Sequence, residues 1–386
     1  MINNLKINSN KTLFFVLYLM FCVSFGYAQN FAPVSGFYHK QMQSLHTAIS
    51  KNFYDRASGY YVVVIDTTKR ENKDGYLRKY TYLWSLCALY QAANEMEKLN
   101  PQAKLMAPLL KIMNDYYSAA PPKPGYTDYI MKLKPGERYY DDNEWIGITA
   151  LDAFARTKLK SDLDQGKLIF NFIMTGYDDV LGGGFYWKEG SNASKNTCSN
   201  GPGILVALQL YQATHDKVYL DVALKTYKWT NENLQAPLKL YYDNIRTKDR
   251  QIGKAVFSYN AGTMLEANLY LYECTGDKKY LNEANEIADS SLAFFYANGK
   301  FKDGYWFNAV LLRSYQHLLK HNNDMKYILG FKRCLDASLK DERNEKGLFT
   351  GKSGVRDLVD QGGMLEILAR YALLETQYKL KSPDLN

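Results

Sequence analysis

The chain has 386 residues, of which 46% are hydrophobic and 23% charged; this balance is typical of a globular protein and excludes a disordered or fibrous chain. The formal net charge is +8, but the basic residues are scattered without a long run, which argues against a nucleic-acid-binding surface. Tyrosine is the outlier, with 33 copies. Its flat ring and hydroxyl suit either core packing or an aromatic binding surface.

The first 28 residues have the pattern of a secretion signal. Lys6 and Lys11 precede an apolar run over residues 13–25, which is short for a membrane span, and small residues favour cleavage after Ala28. Lipidation at Cys22 is disfavoured because the residue before it is bulky. We therefore expect a secreted or periplasmic protein that is not a lipoprotein and has no membrane span.

The mature chain is expected to form a single domain over residues 29–386. Its four cysteines are far apart, and a domain of this size does not need disulfides. We expect these cysteines to be mostly free thiols, with at most one disulfide bridge. They are Cys87, Cys198, Cys274 and Cys334.

Apolar residues recur at helical spacing almost throughout, in about twelve segments of two alternating kinds. The first kind is amphipathic and is predicted to begin near Ser35, Pro101, Ser161, Lys217, Asp277 and Asn323. The second is apolar on most sides, with openings rich in Gly, Asn, Asp and aromatic residues, near Tyr76, Tyr139, Ser199, Phe257, Gly304 and Gly354.

This alternation predicts an all-α fold of six helical hairpins in two concentric rings. Helices that are apolar on most sides belong inside, and each is followed by an amphipathic helix that covers it. The inner helices then run roughly parallel, so their N-terminal residues, which are rich in Gly, Asn, Asp and aromatic residues, converge on one rim of the barrel. Short β-hairpins are expected only in connections, near residues 60–65 and 182–187.

Residues 139–145 (Tyr-Tyr-Asp-Asp-Asn-Glu-Trp) place Asp141 and Asp142 among three aromatic rings at such an opening. Paired carboxyl groups cleave glycosidic bonds, and aromatic faces bind sugars. Adjacent helical residues point about 100° apart, so both carboxyl groups reach one ligand only from a helix start. Close carboxylates also resist joint ionisation, so one should hold a proton. A structural alternative is a capping box formed by Asp141 and Glu144.

This heptapeptide resembles the signature of glycoside hydrolase family 76, the endo-α-1,6-mannanases. The likeness extends over nearly all of the mature chain, and Cys198 departs from it by standing where a small aliphatic residue is more usual. Three further elements carry it: residues 82–84 (Tyr-Leu-Trp), residues 182–187 with 195–200 (Gly-Gly-Gly-Phe-Tyr-Trp and Lys-Asn-Thr-Cys-Ser-Asn), and residues 258–263 (Ser-Tyr-Asn-Ala-Gly-Thr).

The resemblance implies an (α/α)6 barrel that cleaves α-1,6-mannosidic linkages in α-mannan by double displacement, with retention of configuration and without metal or cofactor. It implies that Asp141 is the nucleophile and Asp142 the acid/base. Internal (endo) cleavage rests on this likeness alone. We expect the enzyme to act as a monomer.

Other residues of the matched elements are candidate sugar contacts. The tryptophans and tyrosines would stack on sugar rings or pack in the core, the asparagines would bind hydroxyls or cap helices, and the aspartate would be a sugar contact or a turn residue. The substrate-binding candidates are Trp84, Tyr140, Trp187, Asn196, Asn200, Asp243, Tyr259, Asn260 and Trp306.

Two other patterns are interpreted as structural. The glycines at 182–184 lack the ending of a phosphate-binding P-loop, so a tight turn is expected. His317 and His321 have i,i+4 spacing, but they lie away from the expected rim and lack the Glu of a zinc-protease motif, so no metal site is expected there.

Three alternative functions remain open. The enzyme could keep the same chemistry but transfer the α-mannan glycan to a sugar acceptor in place of water. The barrel could instead carry an unsaturated glucuronyl hydrolase or a sugar epimerase, although an epimerase would be expected to use histidine bases. The aromatic rim could also belong to a non-catalytic glycan-binding protein.

Overall fold

The computed structural model describes residues 36–65, 78–352 and 354–383. The predicted signal over residues 1–28 and the helix opening near Tyr76 lie outside these ranges. Within them the helices are α1 (Phe37–Asn52), α2 (Leu83–Leu99), α3 (Met106–Met113), α4 (Tyr140–Thr157), α5 (Lys160–Ile173), α6 (Thr197–Thr214), α7 (Lys217–Leu234), α8 (Ser258–Thr275), α9 (Lys278–Phe295), α10 (Tyr305–Asn322), α11 (Lys326–Asp341) and α12 (Leu358–Tyr378).

The even-numbered helices form an inner ring. Each packs against the next, and α12 packs against α2, which closes the ring. The odd-numbered helices cover the outside with one apolar stripe each, whereas an inner helix such as α6 is buried on nearly every side. The fold is therefore an (α/α)6 barrel, as predicted. Despite this burial, no helix in the described ranges combines the length and apolarity needed to cross a membrane.

Most predicted helix starts lie within three residues of the observed ones. Three starts come later than predicted. Helix α2 begins at Leu83 rather than near Tyr76, since Tyr80 is extended and pairs with Val62 in a β-bridge. Helix α3 begins at Met106 because Pro101–Ala103 forms a separate 3₁₀ turn. Helix α12 begins after Asp357, whose side chain caps it, because Gly354 has a φ of +72° that no helix contains.

Short antiparallel strands decorate the connections between helices. The two-stranded ribbons are β1 (Tyr54–Asp55) with β2 (Tyr60–Tyr61), β3 (Tyr117–Ser118) with β4 (Gly125–Tyr126), and β9 (Tyr296–Ala297) with β10 (Lys300–Phe301). A four-stranded sheet has the order β5 (Tyr186–Lys188), β6 (Ser191–Asn196), β7 (Tyr242–Arg246) and β8 (Ile252–Val256). The hairpin of β7 and β8 was not predicted, because neither strand alternates apolar and polar residues.

The four cysteines in the described part of the chain are all free thiols, as mostly expected. Cys87 and Cys198 are buried in the inner helices α2 and α6, while Cys274 and Cys334 are half-buried. The barrel is thus held by packing, without a covalent staple among these cysteines.

Candidate active site

The N-terminal ends of the inner helices converge on one rim, as the sequence predicts. The first residues of α2, α4, α8 and α10 surround a cavity of about 300 Å³. Its lining is mainly aromatic and includes both predicted catalytic carboxylates: Tyr82, Trp84, Asp128, Tyr139, Asp141, Asp142, Trp145, Trp187, Tyr259, Trp306 and Phe307.

Asp141 and Asp142 occupy the first turn of α4, which begins at Tyr140. The alternative of a capping box is wrong, because the N-cap residue is Tyr139 and its side chain caps nothing. Glu144 is fully buried, and within the described part of the chain neither of its carboxyl oxygens has a hydrogen-bond partner. The first turn, rather than the cap, is what brings both aspartates to the cavity.

Asp141 has more hydrogen-bond donors than Asp142. The indole N–H of Trp187 donates to its Oδ2 at 3.0 Å, and the backbone N–H of Asp142 donates to its Oδ1 at 3.1 Å. The Cys198 thiol also hydrogen-bonds this carboxyl group. Burial nevertheless raises the pKa of Asp141 to about 6, while these donors favour its charged form.

The surroundings of Asp142 disfavour its charged form more strongly than those of Asp141 do. Burial, and then the negative charges of Asp141 and Asp128, raise its pKa well above the ordinary value. The residues lining the cavity include no lysine, arginine or histidine to compensate. Near neutral pH, the arrangement therefore favours a proton on Asp142 and a negative charge on Asp141.

The three candidate tryptophans all line the cavity, but they differ in exposure. Trp187 is 42% exposed and lies with its ring 5.0 Å from that of Tyr139. Trp84 meets Trp306 edge-on at 5.7 Å. Trp306 is buried and its indole donates to Gln91 at 2.8 Å, so most of this side chain belongs to the core.

Tyr259 also lines the cavity. It is half-buried at the start of α8, and its ring lies 4.1 Å from that of Phe307. Burial raises its pKa well above the ordinary value, so the hydroxyl remains protonated and can donate a hydrogen bond.

Five of the nine predicted substrate contacts do not line the cavity, and three of these lie within the first four residues of an inner helix. Tyr140 is buried with its hydroxyl against Thr175, at 3.2 Å. Asn200 is fully buried, and its amide both accepts from and donates to the backbone of Phe185. Asn260 is fully buried as well. Tyr140 and Asn200 therefore make contacts within the fold, whereas neither atom of the Asn260 amide has a hydrogen-bond partner among the described residues.

Asn196 and Asp243 lie beside the site without lining the cavity. Asn196 precedes α6 and accepts a hydrogen bond from the Ser194 hydroxyl at 2.7 Å. Asp243 lies in β7, accepts from the Asn244 amide at 2.7 Å, and has a pKa that burial raises. The unpredicted β-sheet is what carries Asp243 towards the rim.

Asn143 has a structural role that sequence reasoning missed. Its amide accepts from the Tyr126 N–H at 2.7 Å and donates to the Tyr126 carbonyl at 2.9 Å, so it binds β4 to the start of α4. Asn200 in α6 and Gln361 in α12 make the same paired contacts from the fourth residue of their helices. An alignment of the starts of the inner helices with one another would have shown that an amide side chain recurs at this position.

Asp128 lines the cavity and was also missed. It follows β4, forms an ion pair with Arg78 at 3.2 Å, and its backbone carbonyl accepts the Leu83 N–H at the start of α2. Burial is the main cause that raises its pKa. A lone loop aspartate carries no sequence signal, so only the folded connection reveals it.

The glycines at 182–184 form a tight turn, as expected. All three have positive φ, and a side chain at Gly184 would strike the Trp229 ring. The buried Lys195 fixes the turn by donating to Asp178 and to the carbonyl oxygens of Val180 and Gly183.

A double helical ring with an aromatic cavity and an unequal carboxyl pair on its rim defines an (α/α)6 barrel with a glycosidase-like site. The family model described as glycosyl hydrolase family 76 matches residues 40–336, more than half of the chain. The chain belongs to this family.

Individual relatives are distant. The chain is 28% identical over 243 residues to mannan endo-1,6-alpha-mannosidase DFG5 of Candida albicans, covering 58% of this chain and 51% of that protein. A family 76 glycoside hydrolase (mannosidase) of Bacteroides thetaiotaomicron superposes with a TM-score of 0.78 at 25% identity, covering 89% of this chain and all of the other.

A third relative was solved with a bound oligosaccharide. It is an inactive variant of α-1,6-mannanase GH76A from Salegentibacter sp. HEL1_6, with two adjacent aspartates replaced by alanine, in complex with α-1,6-mannotetrose. The TM-score is 0.70 at 25% identity, over 88% of this chain and all of the other. The chain spans about half the length of the curated relatives it matches.

Proposed function

We propose that this chain is a retaining glycoside hydrolase that cleaves internal α-1,6-mannosidic linkages of α-mannan. The observation that carries the proposal is the carboxyl pair with unequal proton affinity inside an aromatic-walled cavity. Family membership supports the reaction class, and the names of the relatives support the linkage and the sugar.

In the first step, the Asp141 carboxylate attacks the anomeric carbon of the mannosyl unit. Asp142 gives its proton to the glycosidic oxygen, and the sugar on the other side of the bond leaves as an alcohol. A covalent mannosyl ester on Asp141 remains. The Trp187 N–H and the Cys198 thiol favour the charged Asp141 before attack and hold it in place.

In the second step, Asp142 is a carboxylate and takes a proton from water. The water oxygen attacks the anomeric carbon, the ester bond to Asp141 breaks, and both residues return to their starting states. Two inversions at the same carbon give net retention. The exposed Trp187 and the half-buried Trp84 and Tyr259 offer ring faces for the sugars.

The experiment is incubation of the mature chain with debranched α-1,6-mannan, followed by chromatography and anomer-resolved NMR. Mixed oligosaccharides with the α-anomer formed first are expected. Early release of only mannose would contradict internal cleavage, and the β-anomer would contradict the assigned roles. Including a sugar acceptor measures transglycosylation against hydrolysis directly.

Asp141→Asn separates catalysis from binding. Because the amide cannot attack, the variant should bind mannan-derived oligosaccharides without turning them over. The matched control is Asp164→Asn, an exposed aspartate of the outer helix α5, which should retain full activity. Wild-type protein that binds mannan but never cleaves it would identify a binding protein instead.

Export through the predicted signal is part of the proposal, because α-mannan is a polymer outside the cell. Mass spectrometry of the protein recovered from the native host should give an N-terminus at residue 29.

A further inference from the structure

The barrel end opposite the candidate active site holds a cluster of metal-ligating side chains. His317 and His321 lie one turn apart in the last part of α10, and Glu273 lies in the last turn of α8. The two histidines are about 17 and 22 Å along α10 from Trp306, since a helix rises 1.5 Å per residue. It is therefore a separate site from the cavity of the rim.

The three side chains converge on one point. Nε2 of His317 and Nε2 of His321 lie 2.8 and 3.0 Å from the same oxygen, Oε1 of Glu273. All three ligand atoms lie within 4.8 Å of one another. In a tetrahedral zinc site, ligand atoms 2.0–2.1 Å from the metal are ~3.3 Å apart, so a small outward movement would admit the ion.

The surroundings fix the orientation of the ligands. Nδ1 of His317 faces the Glu266 carboxylate at 3.6 Å, which is the outer carboxylate that metal-binding histidines commonly use. The second oxygen of Glu273 accepts from the Gln212 amide at 2.9 Å. The edge of the Tyr270 ring packs against His317 at 4.9 Å. These contacts hold the cluster in place before any ion binds.

The site is also accessible. His317 is buried, but His321 is half-buried and Glu273 is exposed, next to an open cavity of about 560 Å³. A bound ion would thus have three protein ligands and an open position for water, as in many two-histidine, one-glutamate zinc sites. From the sequence, no metal site was expected at the two histidines. Glu273 is 44 residues away from His317 in the chain and is brought next to it only by helix packing.

We propose that Glu273, His317 and His321 bind a divalent transition-metal cation of the zinc class, which cross-links α8 and α10. Imidazole and carboxylate ligands together suit Zn²⁺, Ni²⁺ or Co²⁺ and disfavour Ca²⁺ or Mg²⁺. On binding, both neutral rings exchange the Nε2 proton for one on Nδ1 through solvent, so each Nε2 offers its lone pair to the ion. The Nδ1–H of His317 then faces the Glu266 carboxylate.

The test is titration of the mature chain, after treatment with a chelator, with Zn²⁺ by calorimetry. One equivalent is expected to bind, at least about tenfold more weakly in His321→Gln and in Glu273→Gln. His39→Gln, a change at a histidine of α1 outside the cluster, should bind like the wild type. No binding, or equal binding by all four proteins, would overturn the proposal.

Co²⁺ titration of the wild-type protein gives an independent readout that needs no variant. The absorption spectrum of the bound Co²⁺ is expected to show the bands typical of nitrogen and oxygen ligands, without a thiolate-to-cobalt charge-transfer band. A thiolate band would assign the ion to cysteine and reject the site. Zn²⁺ should raise the Tm of the wild type and of His39→Gln more than that of the two cluster variants.

Discussion

The two ends of the inner ring handle buried carboxyl groups in opposite ways. At the rim, Asp141 and Asp142 face aromatic rings, and burial raises both pKa values. At the far end, Glu95 is buried more completely, but the charges of Arg370 and Lys98 outweigh burial and lower its pKa to about 2. The same helices therefore present reactive, partly protonated acids at one end and ion-paired acids at the other.

At the far end, the ion pairs are formed by two arginines that project into the ring. Arg313 of α10 binds Asp152 of α4 and Glu266 of α8, the latter at 2.7 Å. Arg370 of α12 binds Glu366 at 2.7 Å and Glu95 of α2 at 3.3 Å. The Arg370–Glu366 pair lies within α12, but the other pairs connect different inner helices. This end therefore stabilises the barrel, whereas the rim is electrostatically unfavourable.

The largest effect is expected from Asp142→Asn. The amide has no acidic proton, so kcat on α-1,6-mannan should fall by up to about 10⁴-fold. The Tm should not fall, because the variant also removes a repulsive buried acid. Steady-state kinetics with thermal denaturation checks both, and a variant with unchanged kcat would remove Asp142 from the proposed mechanism.

Arg313→Met should produce the opposite pattern. Removing the guanidinium leaves Asp152 and Glu266 buried without their partner, which is expected to cost about 3–5 kcal/mol of folding free energy. Residual folded enzyme should keep its kcat, because the rim is untouched. Urea unfolding at pH 7 measures the loss of folding free energy. A stability equal to that of the wild type would contradict the proposed difference between the two ends.

A pH series separates the two ends by the sign of their effect on stability. The pKa of Asp141 in the folded state is about 6 against an ordinary 3.8, so its contribution favours folding at low pH and is lost as the pH rises through 6. Asp141→Asn should therefore be about 1–2 kcal/mol more stable than wild type at pH 7, and equal to it near pH 4.

Glu95 should show the reverse dependence. Its contribution is fully present above an ordinary pKa of 4.5 and is lost as the pH falls towards 2. Glu95→Gln should be less stable than wild type at pH 7, with the gap closing below pH 4. Urea unfolding of the three proteins across this range provides the measurement; gaps of the same sign would refute the comparison.

The smallest effect is expected from Trp187→Phe. The ring remains against Tyr139, but the N–H bond to Asp141 is lost, so the pKa of Asp141 should rise. The acid limb of the kcat/KM profile should move to higher pH by less than about one unit, with a few-fold loss of activity. An unmoved limb would show that this hydrogen bond does not tune the nucleophile.

The sequence determined the architecture and the position of the candidate carboxyl pair. Burial on all sides repeats in alternate helices, and this pattern depends on local composition, so the (α/α)6 barrel and most helix starts were predictable. Asp141 and Asp142 were predictable because adjacent acids in an aromatic helix opening are a local motif.

Only the tertiary structure decided what each remaining polar group does. Asn200 was predicted to bind sugar, yet it holds the backbone of Phe185, while the unremarked Asp128 lines the cavity. Glu273 meets His317 and His321 only through the packing of α8 on α10. Side-chain direction, and the partners that burial supplies from distant segments, are set by packing and leave no local pattern in the chain.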